Sequence, residues 1–344
     1  MIEDIAETDE QRAFADAAAR CFASCAALSP GEILPLLAQD GFLGMLVPEC
    51  AGGLGRGLRA TLPAARAAGR HLLAFPLVEA MLAAGFAGRV APDLAEPILS
   101  GEGGVTVAWG GEVQVEGGKA RGVAACAPGA HTARWLVFRA IRDGCEAAGL
   151  IDLGQGGVDI VAADALDLDR VYADLVLDGV PVIALAVGEW RALTDDGAIL
   201  RAADMLGAAE ASFADACAHV STRRQFGKPL SVQQVVATTL ARDHCSLTGA
   251  ALSIEYAALA ADAAQEDASI ARDVACAVAQ DACVAAAENA IQFHGALGFT
   301  AAMPLHRRLR RIQTAADIYN AKTARANLAR TLLESWPDPY KDAA

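Results

Sequence analysis

The sequence predicts a mostly α-helical protein with a β insert. Its parts are an N-terminal helical domain (1–100), a small middle β-barrel or sandwich (101–187), a C-terminal four-helix bundle (188–334) and a short tail (335–344). Three observations carry that prediction. The chain has 344 residues, 54% of them hydrophobic but only 5% aromatic, so alanine, the best helix former and small enough for close helix packing, does most of the filling. Between about 101 and 185 the texture changes to glycines set among short β-branched runs. From about 190 onward apolar residues recur in steps of three and four, the period of a helix with one buried face.

In chain order, Thr8 with Gln11 forms a capping-box pattern before an Ala-rich helical stretch around 10–28. A second helix follows Pro30 and a third covers 56–68. Pro48, Gly52, Gly53 and Gly55 interrupt them with an irregular turn, since neither a helix nor a central strand tolerates that density of breakers. In the β region the strand-like runs are Val105–Trp109, Val113–Val115 and Trp135–Phe138. Ala173, Leu175 and Leu177 then alternate with Asp174, Val176 and Asp178 until Gly179 and Pro181 stop the strand, which fits a half-buried strand of an antiparallel barrel or sandwich. Ile199, Ala203, Leu206, Glu210, Phe213, Cys217 and Val220 mark one face of the first long helix of the bundle. The second runs through Val236, Leu240, Leu247, Ala251 and Ile254, the third from Ile270 to Gln292, and the fourth from Pro304 until Trp336-Pro337-Asp338-Pro339 ends it.

A net charge of −14 excludes nucleic acid or an anionic membrane as the main partner, because both require a cationic face. Positive charge is instead concentrated in two places: Arg223, Arg224 and Lys228, and Arg307, Arg308, Arg310 and Arg311. The second group reads either as an anion-binding patch or as a solvated helix face. Nine cysteines, an odd number without any Cys-x-x-Cys pair, read as small buried hydrophobes of a reducing compartment and leave no metal spacing. The acidic start has no apolar signal core, and no run of 18 apolar residues free of charge occurs, so the expected location is the cytoplasm, with no membrane partner.

Two breaks between the long helical patterns stand out. Arg223-Arg224-Gln225-Phe226-Gly227-Lys228-Pro229-Leu230 combines cations, an aromatic and a turn, as suits an anion with a flat ring beside it. Gln292-Phe293-His294-Gly295-Ala296-Leu297-Gly298-Phe299-Thr300 is a helix end opening into a glycine-lined corner. These two motifs, in this order, resemble the C-terminal helical domain of the flavin-dependent acyl-CoA dehydrogenases. Weaker similarity at 41–55 (GFLGMLVPECAGGLG), Gly118-Lys119 and 175–181 (LVLDGVP) extends the resemblance over nearly the whole chain.

The resemblance implies FAD as cofactor and an acyl-CoA as substrate. It assigns Arg223, Phe226 and Gln234 to the FAD of a neighbouring subunit, and Gln292, Gly295 and Gly298 to a second nucleotide-contacting corner. Ala296 stands where relatives usually have glycine. The alternative for each residue is structural: an aromatic tucked into the core for Phe226, a helix cap and turn for Gly295 and Gly298. His294 reads as a buried hydrogen-bonding residue. The middle domain departs from the family pattern: Thr106-Val107-Ala108-Trp109-Gly110 replaces its first turn, the Trp-x-Thr strand facing the flavin ring is missing, and no flavin-ring contact is assigned there.

The reaction the resemblance implies needs a carboxylate to take the α-proton while the flavin takes a hydride from the β-carbon. In relatives a Glu follows Ile-Tyr; here Ile318-Tyr319 is followed by Asn320, and the family's alternative position holds Gly197. Two substitutes remain open. Asp195 and Asp196 adjoin the alternative position but also suit helix N-caps. Glu210 sits in an apolar stripe, where its pKa would rise unless an arginine pairs with it.

Short members of the family lacking the base occur as one subunit of bacterial heterotetramers that degrade steroid side chains, and this chain resembles them. That similarity implies a paralogous partner supplying the Glu, with an electron-transfer flavoprotein as the acceptor. The rival readings are a self-sufficient, homo-oligomeric flavin enzyme using Glu210 or Asp196, and a non-catalytic helical protein that binds acyl-CoA or acts as a scaffold.

Overall fold

The computed structural model describes residues 8–318 and 321–335. It is mostly helical around a β-barrel, as the sequence predicts. Helix α1 (Asp9–Ser24) starts at a complete capping box: Gln11 N–H donates to Thr8 Oγ1 at 3.1 Å and Thr8 N–H to Gln11 Oε1 at 3.0 Å. Helix α2 (Pro30–Gln39) follows, then two short 3₁₀ turns at 42–44 and 49–51, then α3 (Leu58–Arg70). Two further helices, α4 (Leu77–Val90) and α5 (Ala95–Leu99), were not anticipated. The reason is visible in α4, where every residue from Leu77 to Gly88 is buried. A helix apolar on all sides lacks the two-faced pattern from which helices are read.

The β region holds six strands: β1 (Gly104–Glu116), β2 (Lys119–Pro128), β3 (Ala133–Arg142), β4 (Cys145–Asp152), β5 (Val158–Ala163) and β6 (Tyr172–Val187). The sheet order β2-β1-β3-β4-β6-β5, with a further β2–β6 pairing, closes five strands into a ring and leaves β5 against β6. Of the barrel or sandwich expected, the barrel is realised, with one parallel pair, β1–β3. Its interior is filled by Val113, Leu136, Phe138, Ile151, Leu175 and Leu177, among others. The outward sides of β1, β3 and β4 are buried as well, because Val107, Trp135, Val137 and Leu150 join the helical core.

After the barrel come α6 (Glu189–Thr222), a two-stranded hairpin β7 (Arg224–Gln225) and β8 (Lys228–Pro229), α7 (Gln234–Asp262) and α8 (Ala268–His294). Helical residues continue over α9 (Leu305–Ile318) and α10 (Ala321–Ser335), the stretch the sequence predicted as the fourth helix of the bundle. Asn320 and Trp336-Pro337-Asp338-Pro339 lie outside the described residues. Residues 268–299 have the length and hydropathy to cross a bilayer, yet Ala271, Ala275, Ala279, Cys283 and Ala287 of this stretch are core residues packed among the other helices.

Helices α3 and α6 touch backbone to backbone. A β-carbon on Gly69 would stand 1.7 Å from the carbonyl oxygen of Asp204, and one on Gly207 1.8 Å from that of Arg66. This crossing fixes the N-terminal helices onto the bundle. Asp262, at the end of α7, adds a second link by accepting the N–H groups of Leu58 (2.7 Å) and Arg59 (3.0 Å) at the start of α3, whose own N-cap is Gly57 and has no side chain to offer.

Candidate functional site

The hairpin after α6 turns at Phe226-Gly227, both with positive φ (52° and 78°), the geometry of a two-residue type I′ turn. Such turns favour Asn or Asp followed by Gly. A bulky side chain at positive φ is strained, and here it is also 95% exposed at the tip. Phe226 therefore fills no core within its own chain. The cations around it are equally unspent: among the described residues no carboxylate pairs with Arg223, Arg224 or Lys228. The second basic cluster differs. Arg307 pairs with Asp169 (2.7 Å), Arg308 with Asp215 (2.6 Å) and Arg311 with Asp167 (2.5 Å), so those arginines serve the fold.

At the end of α8, Gly295 adopts φ 59°, ψ −135°, a conformation open to glycine and rarely to other residues, with free space where a β-carbon would go. Gly298 behaves otherwise. It is buried, and a β-carbon there would lie 2.6 Å from the carbonyl oxygen of Ile291, so its missing side chain admits its own chain and not an outside group. Packing against its own chain thus accounts for the glycine at 298, the structural alternative to a ligand contact. Gln292 and Gln234 are exposed, as are Leu297 (43%) and Phe299 (75%).

The two motifs leave the bundle at the same end. The rings of His219, near the end of α6, and His294, at the end of α8, stack with centroids 4.3 Å apart, and His219 accepts the Arg223 N–H on its carbonyl at 2.8 Å. His294 is buried, its Nδ1 2.8 Å from the Ala290 carbonyl oxygen, as a structural residue would be. Burial lowers the pKa of His219, helped by the neighbouring His294 and Arg223. The first half of α7 adjoining the hairpin is largely exposed, including Val232 before it (58%) and Val235 (74%). Exposed guanidinium groups, an aromatic tip, two amides and an open backbone corner have the chemistry to hold a phosphate-bearing, ring-bearing ligand.

The candidate bases fall apart from this surface. Glu210 is held by Arg66, through Nε at 2.8 Å and through Nη2, and by Arg70 at 3.2 Å. Paired twice, it is an ion-pair residue and not a base poised in an apolar stripe. Asp195 is likewise spent, on Arg191 (3.0 Å) and Arg272 (2.6 Å). Gly197 is buried within α6. Asp196 lines a cleft of roughly 190 Å³ with Leu46, Leu58, Leu82, Arg89, Leu193 and Asp262. Burial pushes its pKa up to about 6, against the opposing pull of Arg89. Sequence reasoning missed one further group: Glu79 and Arg201 form a buried pair beside Trp109, signalled only by a carboxylate and a guanidinium within otherwise apolar helices.

Residues 191–319 match the acyl-CoA dehydrogenase C-terminal domain. The chain is 31% identical over 287 residues to acyl-CoA dehydrogenase FadE34 of Mycobacterium tuberculosis; the match covers 80% of this chain but only 38% of that protein. Among solved structures it is similar to a Tcur3481-Tcur3483 steroid ACAD variant (TM-score 0.87, 23% identity, 95% of this chain and 98% of that one). It is also similar to a chain of the ChsE4-ChsE5 complex from Mycobacterium tuberculosis (TM-score 0.86, 23% identity, 97% and 100%). A glutaryl-CoA dehydrogenase from Mycobacterium smegmatis in complex with FADH2 shares the fold too (TM-score 0.84, 16% identity, 97% and 96%).

Proposed function

Since the chain belongs to the acyl-CoA dehydrogenase family, we propose that it is an FAD-dependent subunit taking part in the α,β-desaturation of an acyl-CoA thioester in the cytoplasm. It completes the flavin site of a heteromer whose other, paralogous subunit brings the catalytic carboxylate. The observation that carries this reading is the strained, outward-held Phe226 beside arginines that meet no carboxylate among the described residues, on a chain whose two base positions are Asn320 and Gly197.

When bound, FAD supplies the two-electron acceptor for the hydride from the β-carbon. This chain's residues do the holding. Arg223 matches pyrophosphate oxygens with its planar fork, Phe226 covers a flat ring, Gly295 bares backbone, and Gln234 and Gln292 offer amide hydrogen bonds. Asn320 cannot accept the α-proton, so that step falls to a carboxylate of the partner.

Two features of the relatives support a partner. Two of the similar solved structures are named as pairs of proteins. The curated relative is far longer than the 38% of it that this chain matches, which leaves room for a second unit of the same size in one polypeptide. The name of one structural neighbour includes a steroid, and a bulky, steroid-bearing acyl chain is accordingly the substrate class we assign. Electrons then pass to an electron-transfer flavoprotein.

The test is to purify the chain alone and co-expressed with a Glu-bearing paralogue. The complex is expected to be yellow and active and to lose FAD in Arg223→Ala and Phe226→Ala; a lone chain that desaturates acyl-CoA at a normal rate overturns the reading. Asp196 favours a second one, a self-sufficient enzyme, because its carboxyl lines a cleft with a pKa near that of a working base. In that case the lone chain turns over and Asp196→Asn abolishes it.

A further inference from the structure

Glu79 of α4 and Arg201 of α6 form an ion pair where these helices meet β1, and they are 0% and 2% exposed. Trp109 of β1 donates its indole N–H to Glu79 Oε1 at 3.1 Å, and the Arg201 guanidinium lies over its ring, 4.9 Å from the centroid. Trp190, in the first turn of α6, tilts against Trp109 with centroids 6.3 Å apart. A carboxylate, a guanidinium and two indoles thus crowd one junction beside a core of alanine and aliphatic side chains.

This cluster is a poor device for stability. A buried ion pair is commonly no better than apolar side chains of equal volume, and Glu79 Oε2 has no hydrogen-bond partner among the described residues. Its position gives it another meaning. Arg201 follows Gly197 by four residues and so lies on the same face of α6, one turn along. In an acyl-CoA dehydrogenase subunit the Gly197 position faces the acyl thioester, and Arg201, one turn along, brings its partners Glu79 and Trp109 to that face of α6.

We propose that the Glu79–Arg201–Trp109 cluster is a plug, which fills the space beside α6 that an acyl chain would enter and so keeps acyl groups out of this subunit's own cleft. The proposal rests on reading the chain as an acyl-CoA dehydrogenase subunit. Bulk excludes the chain by volume, and the buried charges penalise any apolar group that would separate them.

The test titrates the full chain with octanoyl-CoA, and with free CoA as control, by calorimetry and by tryptophan fluorescence. The wild-type chain is expected to show no binding that depends on the acyl group. Glu79→Ala/Arg201→Ala, which removes both charges together and opens the space, is expected to gain acyl-dependent binding by at least tenfold, while the bulk-preserving Glu79→Leu/Arg201→Met stays closed. If the alanine pair does not fold, Glu79→Val/Arg201→Val takes its place with the same expectation. Acyl-dependent binding by the wild type, no gain in a folded space-opening variant, or an equal gain in the bulk-preserving one overturns the plug. Failure of the functional reading appears elsewhere, as a co-purified complex without flavin.

Discussion

Asp196 is the residue whose charge state most directly reports its surroundings. Its folded pKa of about 6 lies above the 3.8 of an ordinary aspartate, with burial as the largest cause. A group whose pKa is raised by folding favours the protonated form in the native state. Its ionisation therefore works against folding, by an amount that grows from about pH 4 to pH 6 and is constant above. Asp196→Asn is expected to stabilise the chain by on the order of 2 kcal/mol at pH 7.5 and to match the wild type below pH 4, as read by urea denaturation at several pH values. A difference that stays flat across that range would show that the carboxyl is not held up by its site. At this scale the sequence was legible where spacing carries the signal: Arg223, Phe226 and Gly295 stand out by their motifs, and each is exposed in the structure. Glu79 and Arg201, or Asp167 and Arg311, were not, because each side chain reads as surface until a partner more than a hundred residues away is brought to it. Glu210 was legible only as a choice between an apolar stripe and an arginine, and the packing of α3 on α6 decided for Arg66.

Among the elements, the β7–β8 hairpin sets local stability against use. Its turn has positive φ at both central residues, and at the first of them Asn is easily accommodated while Phe is strained. Phe226→Asn should accordingly stabilise the folded chain by about 1 kcal/mol. In the co-expressed complex the same substitution should lower FAD retention, because the aromatic tip is lost. The paired measurements are a thermal melt of the lone chain and the flavin absorbance of the gel-filtered complex. A gain in melting temperature without loss of flavin would leave the exposed ring unexplained. The hairpin could be foreseen as a break but not as a type I′ turn, since Phe-Gly is not a usual pair for one. Helices α6, α7 and α8 were legible from their three-and-four spacing, whereas α4, buried all round, was not. Runs in β1, β3 and β6 were read individually while β4 and β5 were not, and closure of the ring depends on the β2–β6 pairing, between segments with no local signal for each other.

At the scale of the whole molecule, a buried ionic network joins parts that are remote in sequence. Arg170 and Asp167, from the connection between β5 and β6, meet Asp204 of α6 and Arg311 of α9, and all four are nearly or wholly closed to solvent. Arg170 reaches Asp204 at 3.2 Å, Arg311 reaches Asp167 at 2.5 Å and the Leu73 carbonyl oxygen at 3.2 Å, and Thr314 Oγ1 accepts the Asp167 N–H at 3.0 Å. One guanidinium therefore ties the N-terminal helices, the barrel and the last part of the bundle together. Removing it leaves two buried carboxylates with a single arginine, and an uncompensated buried charge costs more than the intact pair contributes. Arg311→Met is expected to destabilise the chain by about 3–5 kcal/mol, although methionine fills much of the same volume. Adding Asp167→Asn should recover part of that loss, because it removes the orphaned charge while keeping a hydrogen-bonding group beside Thr314. Urea unfolding followed by far-UV circular dichroism and by tryptophan fluorescence checks both points, since Trp109, Trp135 and Trp190 report on the barrel and its junction with α6 and the dichroism on the helices as a whole. In the wild type the two probes should move together. If Arg311→Met leaves the midpoint unchanged, or if the double variant is no more stable than the single one, the network is not what couples barrel to bundle, and that coupling must come from the apolar contacts of Val107, Trp135 and Leu150 with the helices alone.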